Sequence, residues 1–178
     1  MTLNLIHQIP TTMMFSWIAI IVAALVPTAV GFVWYHPKVL GTAWMQASGM
    51  TEEKIQGGNM GVIFGVSLVM SILLALFMST VVIHQSHVNS LFMNTPEAMD
   101  PSTEIGAYYA DFMAKYGGNF RSFKHGLFHG ILAGVLFALP IMSTNALFER
   151  KGFKYIAVNA GYWIVTLGLM GGIICAWQ

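Results

Sequence analysis

MGVIFGVSLVMSILLALFMSTVVI, residues 60–83, contains no Asp, Glu, Lys or Arg. Crossing the hydrocarbon core of a bilayer as a helix takes about 20 predominantly apolar residues. Three other stretches read the same way: Met13 to Tyr35, Gly126 to Leu147 and Tyr155 to Trp177. Lipid offers no partner to a free backbone N–H or C=O, so a spanning segment of this length satisfies its own groups as a helix. The alternating segments of ~10 residues that build a membrane barrel are not seen. The sequence therefore predicts an all-α membrane protein. Residues 1–178 form a single membrane domain, a bundle of four transmembrane helices (about 13–35, 60–83, 126–147 and 155–177).

Composition supports this class. Apolar residues make up 56% of the chain and charged residues 8%, against about 25% charged in a soluble domain. Too little charge is present to cover a water-exposed surface, so the lipid bilayer is the expected partner. A net charge of +1 and the lack of a binding motif argue against nucleic acid. The single cysteine, Cys175, excludes an intrachain disulfide and argues against a cysteine metal site. The thirteen methionines are scattered, as gap-fillers are. No charged residue precedes Lys38, so the first apolar segment lacks the basic region of a signal peptide and is expected to be a retained helix. Trp34, Tyr35, Trp44, Tyr155 and Trp177 stand near helix ends, where amphipathic rings favour the interface. Pro27 and Pro140 lie within helices one and three and are expected to kink them.

Glycines recur every four residues at Gly57, Gly61 and Gly65, at Gly126, Gly130 and Gly134, and at Gly168 and Gly172. Such stripes, a glycine-zipper pattern, let helices approach closely. They predict tight packing within the chain, with a second copy or another membrane subunit as the alternative partner. The loops differ in size. Loop one (about 36–59) is short and loop three (about 148–154) is a tight turn, while loop two (about 84–125) is the longer extramembrane segment. Within it, residues of about 103–116 predict a short amphipathic helix with Ile105, Tyr108, Tyr109, Phe112, Met113 and Tyr116 on one face. That helix either lies in the membrane interface or folds back on the bundle. Loops one and three hold Lys38, Lys54, Arg150, Lys151 and Lys154, and loop two holds Lys115, Arg121 and Lys124. The positive-inside rule then directs both termini and loop two outward. Pro27 with His36, Pro140 with Glu149, and the pairs Asn59–Gly61 and Asn159–Gly161 make a weak internal echo of a two-plus-two duplication.

Histidine placement is the most informative polar feature. His84 and His87 end helix two, and His125 and His129 open helix three. The topology puts all four, with His7, at one membrane face. Spacings of three and four place imidazoles on one helix side, as metal ligation requires. Asp111 or Glu104 is a candidate further ligand. The alternative is a titratable cluster, or plain hydrogen bonding at the interface. A second polar group, Asn145, Glu149, Arg150 and Asn159, surrounds the third turn and reads as structural. No catalytic residues emerge: there is no nucleophile elbow, phosphate loop, dinucleotide fingerprint or HExxH motif. The sequence does not identify a cofactor.

Trp34-Tyr35-His36-Pro37 with Gly41 and Trp44, Asn145-Ala-Leu-Phe-Glu-Arg150, and Asn159-Ala-Gly-Tyr-Trp163 together resemble the bacterial membrane family called domain of unknown function 1761. The stretch from Tyr116 to Pro140 resembles its Bacteroidetes-type members. The resemblance implies a four-helix bacterial inner-membrane protein, whose outward termini then face the periplasm, and no activity. His36 stands where many members carry a small residue. Three readings follow: a non-enzymatic accessory or scaffolding subunit of a membrane complex, a transporter or channel-like protein for a small solute or ion, and a histidine-based metal- or cofactor-binding membrane protein. The first is favoured by the glycine faces and the lack of a catalytic motif. Transport is disfavoured because no charge lies mid-membrane, where coupling sites usually carry one.

Overall fold

A computed structural model describes residues 16–177, in which all regular structure is helical. Among the described residues, four helices are long and apolar enough to cross a membrane: Trp17–Trp34, Met60–Val82, Phe123–Phe148 and Phe153–Ala176. In chain order the elements are α1 (Trp17–Trp34), α2 (Thr42–Ser48), α3 (Glu52–Gln56), α4 (Met60–Val82), α5 (His84–Leu91), α6 (Glu104–Tyr116), α7 (Phe123–Ala133), α8 (Leu139–Phe148) and α9 (Phe153–Ala176). A π turn, Gly134–Ala138, joins α7 to α8 in one span. It ends immediately before Leu139 and Pro140, and Leu139 N–H bonds Gly134 O. The extra residue in this turn accommodates the missing proline donor. In α1, Pro27 is accommodated without a break, and the Tyr162 hydroxyl donates to Pro27 O at 2.8 Å.

α9 is the hub. Its apolar window is 61% buried, against 11% for α4 and 11% for α7–α8. The core gathers Ile20, Ala23 and Ala24 of α1, Ala75, Met78 and Val82 of α4, and Leu167, Met170, Ile174 and Cys175 of α9. In lipid, close packing of this kind holds helices together, because the tails are as apolar as the side chains.

Glycine sets the closest contact. A Cβ at Gly126 would lie 2.1 Å from Gly171 O, one at Gly130 2.1 Å from Leu167 O, and one at Gly134 2.6 Å from the Ile164 Cα. In return, Gly171 meets Gly126 O, and Gly172 meets the Phe123 ring. The 126/130/134 and 168/172 stripes thus face each other's helices, α7 against α9. The Gly57/Gly61/Gly65 stripe does not follow. Gly65 has nothing within 4 Å, and Gly57 and Gly61 meet only atoms of their own local segment. The expected tight packing within the chain is absent there, because the first half of α4 lies on an exposed face.

Two ends of the structure can be distinguished. At one, Trp34 Nε1 donates to Val158 O (3.0 Å) and Lys151 Nζ to Ser48 O (2.7 Å). At the other, the Cys175 thiol bonds Val82 O and Phe120 O, and Arg121 Nη2 caps α9 at Trp177 O (2.6 Å). We call these the tryptophan face and the histidine face. Loop one is not a simple connection: it folds α2 and α3, and Thr51 caps α3 through Lys54 N–H. Loop two opens with α5, which periodicity did not announce. α6 falls close to the expected range, capped by Thr103. The α6 side chain Tyr109 hydrogen-bonds Asn89 of α5 and packs against Phe92. Of its expected apolar face, Tyr109 is buried, while Ile105, Tyr108, Phe112 and Tyr116 are exposed. The single face of the amphipathic helix is therefore divided between the α5 contact and the outside.

Candidate functional site

Three imidazoles meet at the histidine face. The metal-competent nitrogens of His84, His125 and His129 all lie within 4.8 Å of one another. The backbone explains how. α4 stops at Val82, and Ile83 is extended (φ −103°, ψ 97°) and 1% exposed. This buried residue anchors the break and starts α5 at His84. On the other side, the Ser122 hydroxyl accepts from His125 N–H and caps α7. That places His125 in the first turn and His129 one turn later, on the same side.

His84 Nε2 and His125 Nε2 are 2.8 Å apart. At this distance one nitrogen carries the proton and the other accepts it, so the pair is neutral or shares one charge. Aromatic rings steady the imidazoles. Phe120 lies 5.0 Å from His125 and 5.9 Å from His84, centroid to centroid, and Phe128 lies 5.6 Å from His129. Phe120 itself has φ +64°, an uncommon conformation for a bulky residue. The turn that holds it is pinned by Gln85, whose amide donates to Gly117 O (2.8 Å) and Asn119 O (2.9 Å). Burial, then His125 and His87, hold the His84 imidazole below its ordinary pKa. It therefore keeps the neutral, metal-ligating form to lower pH than a free histidine.

Of the four histidines expected at the site, His87 is not in the cluster. It stands exposed one helical turn beyond His84 on α5. Neither Glu104 nor Asp111 joins the group. Asp111 instead pairs with Lys115 at 2.7 Å. His7 lies outside the described residues.

The second polar group behaves differently. Asn145, Glu149 and Arg150 are exposed, and among the described residues no ion pair joins Glu149 to Arg150. The turn is closed by backbone alone: Glu149 N–H bonds Asn145 O, Lys151 N–H bonds Ala146 O at 2.8 Å, and Arg150 takes φ +59°. This is a helix C-terminal turn with a left-handed residue where glycine or asparagine is usual.

Asn159 belongs instead to an aromatic group at the tryptophan face. The Tyr35 hydroxyl donates to Asn159 Oδ1 (3.0 Å), and Asn159 Nδ2 donates to Tyr155 O (2.8 Å). Tyr35 packs on Trp44 and Tyr162. Gly41 ends a π turn that Pro37 opens, and a Cβ there would lie 2.2 Å from Tyr35 O. His36 caps this turn, its Nδ1 accepting from Lys38 N–H. The spaced Trp-Tyr, Pro, Gly and Trp after α1 thus build one docking element, and the Asn-x-Gly-Tyr-Trp of α9 receives it. The chain belongs to the DUF1761 family. The family's model, described as a protein of unknown function, matches residues 18–175. No curated protein and no solved structure matches the chain. Within this DUF1761 chain, Asn159→Ala is expected to cost about 1–3 kcal/mol, because it leaves the half-buried Tyr35 hydroxyl without its acceptor. Thermal unfolding in detergent measures this. An unchanged midpoint would mean that water replaces the amide.

Proposed function

We propose that this multi-pass membrane protein binds a divalent transition-metal ion, zinc or copper, through His84, His125 and His129. The observation that carries the reading is the convergence of the three ligand atoms within 4.8 Å. Imidazole suits zinc, copper and nickel, and an all-nitrogen set suits zinc or copper better than magnesium or calcium. Two imidazole nitrogens at ~2.0–2.1 Å from one ion stand about 3.3 Å apart at the tetrahedral angle, so His84 and His125 need to separate by only ~0.5 Å from their hydrogen-bonded distance. Three protein ligands leave a fourth position open for water or another ligand. The free ring nitrogens of the three make no hydrogen bond to a carboxylate among the described residues. Such second-shell bonds typically contribute 10–100-fold in affinity. The ion is therefore expected to exchange, as a delivered or sensed metal does. Elemental analysis of protein purified without a histidine tag tests the reading. About one zinc or copper per chain supports it, and metal below one-tenth of that after incubation with either ion rejects it.

The sequence's accessory-subunit reading retains one favourable observation. The first half of α4 is exposed, and Gly65 has open space around it, as a face that receives another helix would. The metal site and such a contact lie on different parts of the molecule and are compatible.

The site's compartment follows from orientation. We place the protein in a bacterial inner membrane with the histidine face toward the periplasm, because five of the eight Lys and Arg residues fall in loops at the tryptophan face. Alkaline phosphatase fused after Gln178 should be active. A fusion that is silent, with a cytoplasm-only fluorescent protein bright at the same point, reverses the assignment.

A further inference from the structure

A cavity of about 320 Å³ lies beside the histidine cluster. His84, Val88, Phe112, Met113, Tyr116 and Phe120 line it. It is formed where α6 and the following turn fold over α5, outside the four spans. Its size is at the low end of small-molecule sites, ~300–1,000 Å³. Its walls are apolar and largely aromatic. Gln85 also lines it, but its amide donates to Gly117 O and Asn119 O, and so holds the wall instead of facing a guest. Asn119 lines it as well, and His84 is the lining residue that the cavity shares with the histidine cluster. Phe120 borders both spaces: it lines the cavity and packs on His84 and His125.

The geometry points to a binding site for a small aromatic monoanion, such as an aryl carboxylate, whose head takes the open position of the ion while its ring fills the cavity. The inference rests on the metal reading above. Three neutral imidazoles leave the full charge of a divalent ion uncompensated, so an anionic head is favoured over a neutral or cationic one. The ring follows from the walls: Phe112, Tyr116 and Phe120 offer faces and edges for offset or edge-on aromatic contact. An aliphatic head group without a ring would gain the charge and forgo the cavity.

Cobalt(II) loaded in place of the native ion makes the coordination visible, because its absorption band responds to the fourth ligand. Full-length protein in detergent is titrated with 2-naphthoate and, separately, with acetate, after correcting for naphthoate taken up by protein-free micelles. Naphthoate should shift the band with an apparent Kd at least tenfold below that of acetate. Val88→Trp, which fills the cavity and leaves all three imidazoles in place, should bring naphthoate to the acetate value while retaining cobalt. If the wild-type protein binds neither cobalt nor zinc nor copper, the metal reading fails and this inference falls with it; if zinc binds and cobalt does not, the same two titrations of the zinc-loaded protein by calorimetry decide. If cobalt binds but naphthoate is no better than acetate, the metal reading stands and the aromatic site is overturned. Equal naphthoate binding in cobalt-loaded Val88→Trp also overturns it. Should that variant not fold, the wild-type ratio of naphthoate to acetate decides alone.

Discussion

Gly130→Ala is expected to destabilise the protein by at least ~1–3 kcal/mol, and Gly130→Leu to separate α7 from α9 altogether. The reason is distance. A Cβ at Gly130 would lie 2.1 Å from Leu167 O, 2.6 Å from the Leu167 carbonyl carbon and 2.7 Å from the Gly168 Cα. These are backbone atoms of the most buried helix, so no side chain can rotate out of the way. The whole α7–α9 interface must widen, and α9 also carries the contacts to α1 and α4. Helix propensity works in the opposite direction: alanine is favoured over glycine by about 0.8–1.0 kcal/mol in a helix interior. The steric term therefore has to exceed this gain. Gly65→Ala isolates the gain, because nothing lies within 4 Å of Gly65, and it should be neutral or stabilising. Leu132→Met, which roughly conserves volume, should cost under ~1.5 kcal/mol. Thermal unfolding of the four proteins in one detergent compares them. Matching midpoints for Gly130→Ala and Gly65→Ala would show that α7 does not rest on the α9 backbone.

The contrast between Gly65 and Gly130 also shows what the sequence could reveal. Both glycines sit in stripes of spacing four, and spacing reports only that small residues share a helix side. It does not report what that side meets. α7 turns its stripe to α9, whereas α4 uses Ser71, Ala75, Met78 and Val82 for its buried contacts and leaves its glycine end outside. The spans themselves were legible, because the absence of charge over ~20 residues has one structural solution in lipid. α5 was not. His84-Gln-Ser-His-Val-Asn-Ser-Leu91 has only Val88 and Leu91 as apolar residues, and its helix is supported by tertiary bonds such as Gln85 to the 117–119 turn, which no local pattern encodes. The same gap explains His87. Spacing of three suggested that it would accompany His84, yet the site is reached by a break at Ile83 that aims only the first histidine of α5 at α7. At the tryptophan face, sequence proximity groups Asn159 with Glu149 and Arg150, while its partners Tyr35 and Tyr155 read in the sequence only as aromatic anchors.

Removing any one of His84, His125 and His129 is expected to lower zinc or copper affinity by more than ~100-fold, beyond the 10–100-fold typical of losing a mere second-shell partner. His87→Ala should leave it within a few-fold of wild type. In the proposed site three imidazoles would hold the ion with one position open, and two would leave it to water on half its coordination sphere. A fourth histidine within reach would compensate for the loss of any one, and the exposed His87 is the residue that sequence spacing alone would nominate. Single alanine variants, each purified without a tag and titrated with zinc against a competing chelator, separate the cases. Proton competition gives a second readout with a defined sign. Neutral imidazole is the ligand, so affinity falls as pH falls. Burial and the neighbouring imidazoles hold His84 below the ordinary histidine value, so protons compete for His84 at lower pH than for an unperturbed histidine, about 6.5. If His87→Ala loses as much affinity as His84→Ala, His87 is a ligand and α5 must rotate or extend its N-terminal turn on binding. If all four variants retain wild-type affinity, the ion is held elsewhere and the 2.8 Å contact between His84 and His125 is a hydrogen bond and nothing more.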